Sequence, residues 1–240
     1  MEKKNLLLLS TSTIYGQPYL SYAKDWIIEH YRGAKRIVFF PYARPSGLSH
    51  EEYTAKAAEF FNELGIEVIG AHTLESNTKE LNSYDGIFIG GGNTFVLLSA
   101  LWHHGWISMI RKAVSKGIPY MGTSAGTNVA TVDIRTTNDM PVVYPPTFEA
   151  LGLVNFNINP HYLDPIENST HMGETRETRI QEFHMYNENP VLGLREGGGL
   201  RVKGNHIELL GEPTARFFVK NQTPVEIHPA ERIELEYSLE

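Results

Sequence analysis

The sequence predicts an α/β fold, a mostly parallel sheet with helices on both faces and a β-rich C-terminal tail. Three observations carry that expectation. Short apolar runs alternate with longer amphipathic ones through the first half of the chain. Those short runs are apolar at successive positions instead of every second one, as strands covered on both faces require. Past residue 130 the rhythm shortens to apolar runs separated by Gly- and Asn-containing turns.

Taken in order, residues 6–10 read as a first buried strand, bounded by polar residues. The stretch 19–31 reads as a helix with Tyr22, Trp26 and Ile27 on one face. A strand is expected over 36–41. A helix over 50–64 follows, carrying Tyr53, Ala57, Phe60, Phe61 and Leu64 on its apolar face. Residues 67–70 and 86–89 read as strands. Two helices, 93–104 and 107–116, are each closed by a glycine in the position where helices stop, and the strand 120–123 comes next. Residues 131–146 are polar and proline-containing, a long connection suited to lining a site. A strand is expected over 154–158 and a charged, exposed helix over 174–186. Short strands over 191–195, 200–203, 206–210 and 216–220 read as antiparallel additions at the sheet edge. No repeat or linker interrupts the chain, so residues 1–240 are expected to form one domain.

Composition narrows the classes. Of 240 residues, 41% are hydrophobic and 20% charged, which is ordinary for a folded soluble protein. Formal net charge is −7 and no long basic run occurs, so no nucleic-acid partner is expected. The chain has no cysteine. That removes disulfides, thiolate zinc sites and cysteine nucleophiles together. Met1-Glu2-Lys3-Lys4 followed by Leu6 to Leu9 imitates a signal peptide faintly, but the apolar run stops at Ser10. No stretch approaches the roughly 20 apolar residues of a membrane span. The sequons Asn168-Ser169-Thr170 and Asn221-Gln222-Thr223 read as chance matches, and a cytoplasmic, enzyme-sized domain is the expectation.

The strongest local signal is Gly122-Thr123-Ser124-Ala125-Gly126, a G-x-S-x-G sequence after an apolar strand and before a helical stretch at Asn128-Val129-Ala130. Such a turn lifts the Ser124 hydroxyl out of the sheet. The helix start behind it offers backbone N–H groups, that of Ala125 among them, to a developing oxyanion. The competing reading is a Gly/Ser-rich turn without chemistry. Gly90-Gly91-Gly92-Asn93-Thr94 ends the preceding strand, so it falls on the same carboxyl edge, where parallel sheets bind ligands. It reads as the source of a second oxyanion N–H, from Gly91 or Gly92, or else as an anion-cradling loop. It has neither the G-x-G-x-x-G spacing nor the Lys-Ser/Thr of a P-loop.

A serine needs a base. His161, in Asn159-Pro160-His161 after the strand expected over 154–158, stands at a carboxyl edge within a polar loop. No His-x-x-x-His spacing suggests a metal, and no cofactor is implied. Two carboxylates compete to orient the imidazole, Asp139 in the long loop and Glu196 after the strand 191–195. The pattern leaves that choice open.

These residues resemble the peptidase E family, the α-aspartyl dipeptidases, over nearly the whole chain. The resemblance rests on Gly90-Gly91-Gly92-Asn93-Thr94-Phe95, Ser124-Ala125-Gly126, the run from Ile134 through Arg135-Thr136-Thr137-Asn138-Asp139-Met140-Pro141, Ile158-Asn159-Pro160-His161 and Gly173-Glu174-Thr175-Arg176. It implies a fold similar to the class I glutamine amidotransferase domains, with serine in place of cysteine. It further implies Ser124 as nucleophile, His161 as base, Asp139 as the preferred third member with Glu196 its rival, and Arg176 as receiver of the substrate's aspartyl carboxylate. The implied partner is a small peptide with N-terminal aspartate, and a homodimer is left open. The alternatives are a hydrolase of β-aspartyl peptides similar to cyanophycinases, and a non-catalytic anion-binding module. An α/β-hydrolase esterase fits less well, because His161 follows Ser124 by only 37 positions.

Overall fold

The computed structural model describes residues 4–74, 81–165, 170 and 173–229. Five strands run parallel in the order β3-β2-β4-β5-β1: β1 (Asn5–Leu9), β2 (Arg36–Phe40), β3 (Glu67–Gly70), β4 (Gly86–Ile89) and β5 (Tyr120–Thr123). Between them lie α1 (Lys24–His30), α2 (His50–Glu63), α3 (Thr94–His103) and α4 (Trp106–Ser115). Successive side chains of a strand point to opposite faces, and the core divides accordingly. Leu6, Leu8, Val38, Phe40, Ile87 and Ile89 pack with α3 and α4. Leu7, Leu9, Ile37, Phe39 and Phe88 pack with α1 and α2. Both faces are buried, hence the unbroken apolar runs. Each such side chain contributes about 1.5–3 kcal/mol on burial.

The helix expected over 19–31 starts later. Leu20 is buried with φ 58, and a 3-10 turn at Ser21–Ala23 precedes α1. A left-handed residue cannot lie inside an α-helix, so the apolar periodicity of the segment overruns its helical geometry. By contrast α2 starts where expected, because Ser49 and Glu52 form a reciprocal capping box.

The C-terminal strands correct the expectation in part. β8 (Gly199–Lys203) and β9 (His206–Leu210) extend the main sheet antiparallel beyond β1. β6 (Asn157–Pro160), β7 (Val191–Leu194), β10 (Ala215–Phe218) and β11 (Val225–Ile227) instead build a second sheet, ordered β11-β10-β7-β6. The reason is that this sheet has two apolar faces. α6 (Arg176–Tyr186) packs Ile180 and Phe183 against Val191, Phe218 and Tyr162, while Leu192, Leu194, Ala215 and Phe217 join the core shared with the main sheet. β6 lies later than the expected 154–158 because its asparagines are buried and paired: the Asn157 amide donates to Asp133 and that of Asn159 to the Thr136 carbonyl. β11, three residues long and partly exposed, carries too little pattern to be read.

No helix among the described residues is long and apolar enough to cross a membrane. Met1-Glu2-Lys3, the Asn168-Ser169 end of the first sequon, and residues 166–169 and 171–172 between His161 and Gly173 lie outside the described residues.

Candidate active site

The carboxyl edge of the parallel strands gathers the predicted residues. Ser124 sits between β5 and the one-turn helix α5 (Ala125–Asn128) with φ 52 and ψ −109, a conformation unfavourable for any residue with a side chain. Its surroundings over-determine it. The Ser124 N–H donates to the Leu9 carbonyl at 3.0 Å, and its own carbonyl accepts from Thr127 and Asn128, each at 2.9 Å. The Thr127 hydroxyl adds bonds to the carbonyls of Leu9 and Gly122. Gly126 has to be glycine, because a Cβ there would run into the Ile89 carbonyl. The strained turn is therefore held by both neighbouring strands.

His161 follows β6 with φ 53. Its backbone N–H donates to Ser10 Oγ at 2.9 Å, and that hydroxyl donates to the Leu194 carbonyl at 2.7 Å. Ser10, fully buried at the end of β1, thus ties the two sheets together beneath the imidazole. His161 Nε2 lies 2.8 Å from Ser124 Oγ and Nδ1 lies 2.6 Å from Glu196 Oε1. An ionised carboxylate only accepts, so Nδ1 carries the proton and Nε2 is left to accept from the serine. A hydroxyl, an imidazole and a carboxylate thus stand in one hydrogen-bonded line, an arrangement in which a serine can be activated.

Asp139, the preferred third member, lies elsewhere. Its Oδ2 accepts from the Thr94 N–H and the Thr94 hydroxyl, both at 2.7 Å, and from Thr137 Oγ1 at 3.2 Å. Its loop is a cross-brace. On one side Asn93 donates to the Met140 carbonyl and caps α3. On the other, Asn138 donates to the Pro160 carbonyl and Thr136 to that of Ile158. Asp139 thereby links the glycine loop to the strand that carries His161. Arg176, half-buried at the first position of α6, has its pKa lowered by burial and by Arg179, while the negative charge of Asp139 opposes that shift. The guanidinium therefore lies within electrostatic reach of Asp139.

The glycine loop comes up to the serine itself. A Cβ on Gly91 would lie 3.1 Å from Ser124 Cβ, and one on Gly92, whose φ is 144, would press into the Ala43 carbonyl. Gly92 is thus reserved for glycine by close approach, and a side chain at Gly91 would crowd Ser124 directly. Ala125 is buried as the first residue of α5, where a helix N–H has no intrahelical partner.

Arg195, beside Glu196, braces the opposite flank. It donates two bonds of 2.7 Å to Asp164, three residues past His161, and others to Thr214 and Glu226. Sequence reasoning missed Ser10 and Arg195; the only available sign was a polar residue closing an apolar strand at the carboxyl edge. The Arg195 hydrogen bond holds the Glu226 carboxyl down at about 2, below the ordinary 4.5. A depressed carboxylate stabilises the fold above its unfolded pKa and ceases to as pH falls through its folded one. Denaturation should therefore find Glu226→Gln less stable than the parent at pH 7. That gap should close between pH 4.5 and about 2. A gap independent of pH over that window would refute the linkage.

The family model of peptidase family S51 matches residues 6–210. The chain is 50% identical over 223 residues to peptidase E of Streptomyces coelicolor, covering 93% of this chain and 90% of that protein. It is 48% identical over 229 residues to a Drosophila melanogaster protein described as "Probable alpha-aspartyl dipeptidase", covering 94% of each. In fold it is similar to a peptidase from an acI-B1 Actinobacterium, with a TM-score of 0.67 at 18% identity over 96% of both chains.

Proposed function

The chain belongs to peptidase family S51, and from that premise we propose that it is a serine dipeptidase that releases N-terminal aspartate from Asp-X through an acyl-enzyme on Ser124. The observation that carries the reading is the line Glu196–His161–Ser124, with spacings of 2.6 and 2.8 Å, on a strained turn that faces a glycine loop.

The chemistry follows from the geometry. His161 Nε2 takes the Ser124 proton as Oγ attacks the aspartyl carbonyl carbon. The oxyanion develops against the N–H groups of Ala125 and of Gly91 or Gly92. Collapse of the intermediate expels the second residue's amine, which takes the proton from His161. Water, deprotonated by the same imidazole, then cleaves the ester, and the proton returns to Ser124. Glu196 holds the Nδ1 proton throughout and stabilises the imidazolium.

Specificity needs a cation for the aspartyl side chain and an anion for the α-ammonium. Arg176 supplies the first, since a planar guanidinium meets a carboxylate with two parallel bonds. Asp139 is the acid outside the catalytic line, and it supplies the second. Arg176→Ala is expected to lower kcat/KM for Asp-Leu by about 10²–10³-fold, the cost of leaving a desolvated carboxylate unpaired. Stability should barely change. A dipeptide panel that varies the first residue tests this, with β-Asp-Arg included. An equal fall in Asp-X and Ala-X hydrolysis would remove Arg176 from recognition.

A further inference from the structure

Tyr53 reaches the glycine loop from α2. Its hydroxyl donates to the Gly91 carbonyl at 3.0 Å. The ring is buried, with the Phe39 ring edge-on at 4.9 Å and the Arg44 guanidinium over its face at 5.2 Å. Gly90 leaves room for it, because a Cβ there would lie 2.6 Å from the hydroxyl. Burial pushes the phenol above its ordinary range, so it stays a donor at neutral pH.

A trans peptide holds its C=O and N–H on opposite sides. Fixing the Gly91 carbonyl against Tyr53 therefore turns the Gly92 N–H away from α2. Two nearby peptides have anchors of their own: the one between Ile89 and Gly90 through the Gly90 N–H on the Phe40 carbonyl, and the one between Gly92 and Asn93 through the Asn93 N–H on the Ala43 carbonyl. Neither anchor fixes the unit between Gly91 and Gly92. A peptide flanked by two glycines is also the easiest to invert, because neither residue has a Cβ to obstruct the rotation. Inverted, it would present a carbonyl oxygen where the reaction needs a donor.

We propose that Tyr53 is a positioning residue for the oxyanion site, its hydroxyl holding the Gly91–Gly92 peptide so that the Gly92 N–H serves the tetrahedral intermediate on Ser124. This rests on the serine-peptidase reading above and extends it to a side chain that never meets the substrate.

The test compares two matched variants. Tyr53→Phe removes the clamp. Tyr31→Phe removes an equally buried hydroxyl that donates to the Ile87 carbonyl at 2.7 Å, on the strand leading into the glycine loop. Tyr53→Phe should lower kcat for Asp-Leu by about 10–100-fold, part of the 10²–10³-fold cost of losing a whole oxyanion donor, and leave KM near the parent value. The rate of Ser124 phosphonylation by a fluorophosphonate should fall in parallel. That reaction needs no aspartyl side chain, so the comparison survives an error in the substrate assignment. Tyr31→Phe should lower Tm by a similar amount yet keep both rates. Equal kinetic loss in the two variants would make the role structural and overturn the proposal. So would unchanged rates in Tyr53→Phe, or a rise in KM at constant kcat. Melting curves of both variants fix an assay temperature at which each is folded.

Discussion

Ser124→Ala is expected to fold with a Tm near that of the parent and to lose about 10⁵–10⁶-fold in kcat on Asp-Leu. The turn does not depend on the hydroxyl. Ser124 is held by its own backbone N–H and carbonyl, by the Thr127 hydroxyl and by close packing at Gly126, all of which survive the substitution. Alanine also accepts the strained φ no less readily than serine. What disappears is the atom 2.8 Å from His161 Nε2. Residual hydrolysis would come from the oxyanion donors and bound water alone. Steady-state assays on active-site-titrated protein measure the loss, and turnover within tenfold of the parent would end the acyl-enzyme mechanism.

The second large effect separates the two acids. Glu196→Gln should lower kcat by about 10³–10⁴-fold with little change in KM, because an amide favours the wrong imidazole tautomer and cannot stabilise the imidazolium. Asp139→Asn should behave differently. Its carboxylate accepts from the start of α3 and lies within electrostatic reach of Arg176, so its loss should raise KM for Asp-X and lower Tm more than it lowers kcat. Measuring kcat, KM and Tm for both variants on one substrate decides the matter. If Asp139→Asn takes the larger fall in kcat and Glu196→Gln leaves it intact, the roles are reversed.

Several features were legible because they are local. The strand–turn–helix around Ser124 is contiguous, and its glycines mark a turn that few other residues permit. The apolar runs of β1, β2, β4 and β5 follow from burial on both faces. Elements failed to be legible where burial was achieved by polar pairing. Asn157 and Asn159 look unlike strand residues until Asp133 and Thr136 are beside them. Leu20 looks helical until its left-handed φ is seen.

By itself, then, the sequence determined the parallel sheet and the residue types gathered at its carboxyl edge, because periodicity and turn chemistry act within a few residues. It also held both candidate acids without ranking them. What each acid touches is decided by tertiary structure. Glu196 reaches His161 because β7 pairs with β6 in a second sheet, with Arg195 bound to Asp164 behind it. Asp139 is turned to Thr94 because its loop bridges β6 to α3. The contacts of His161 with Glu196 and Ser124, and of Tyr53 with the Gly91 carbonyl, join positions at least 35 apart in the chain. No local preference encodes such pairings; they arise from how two sheets meet across a shared apolar core.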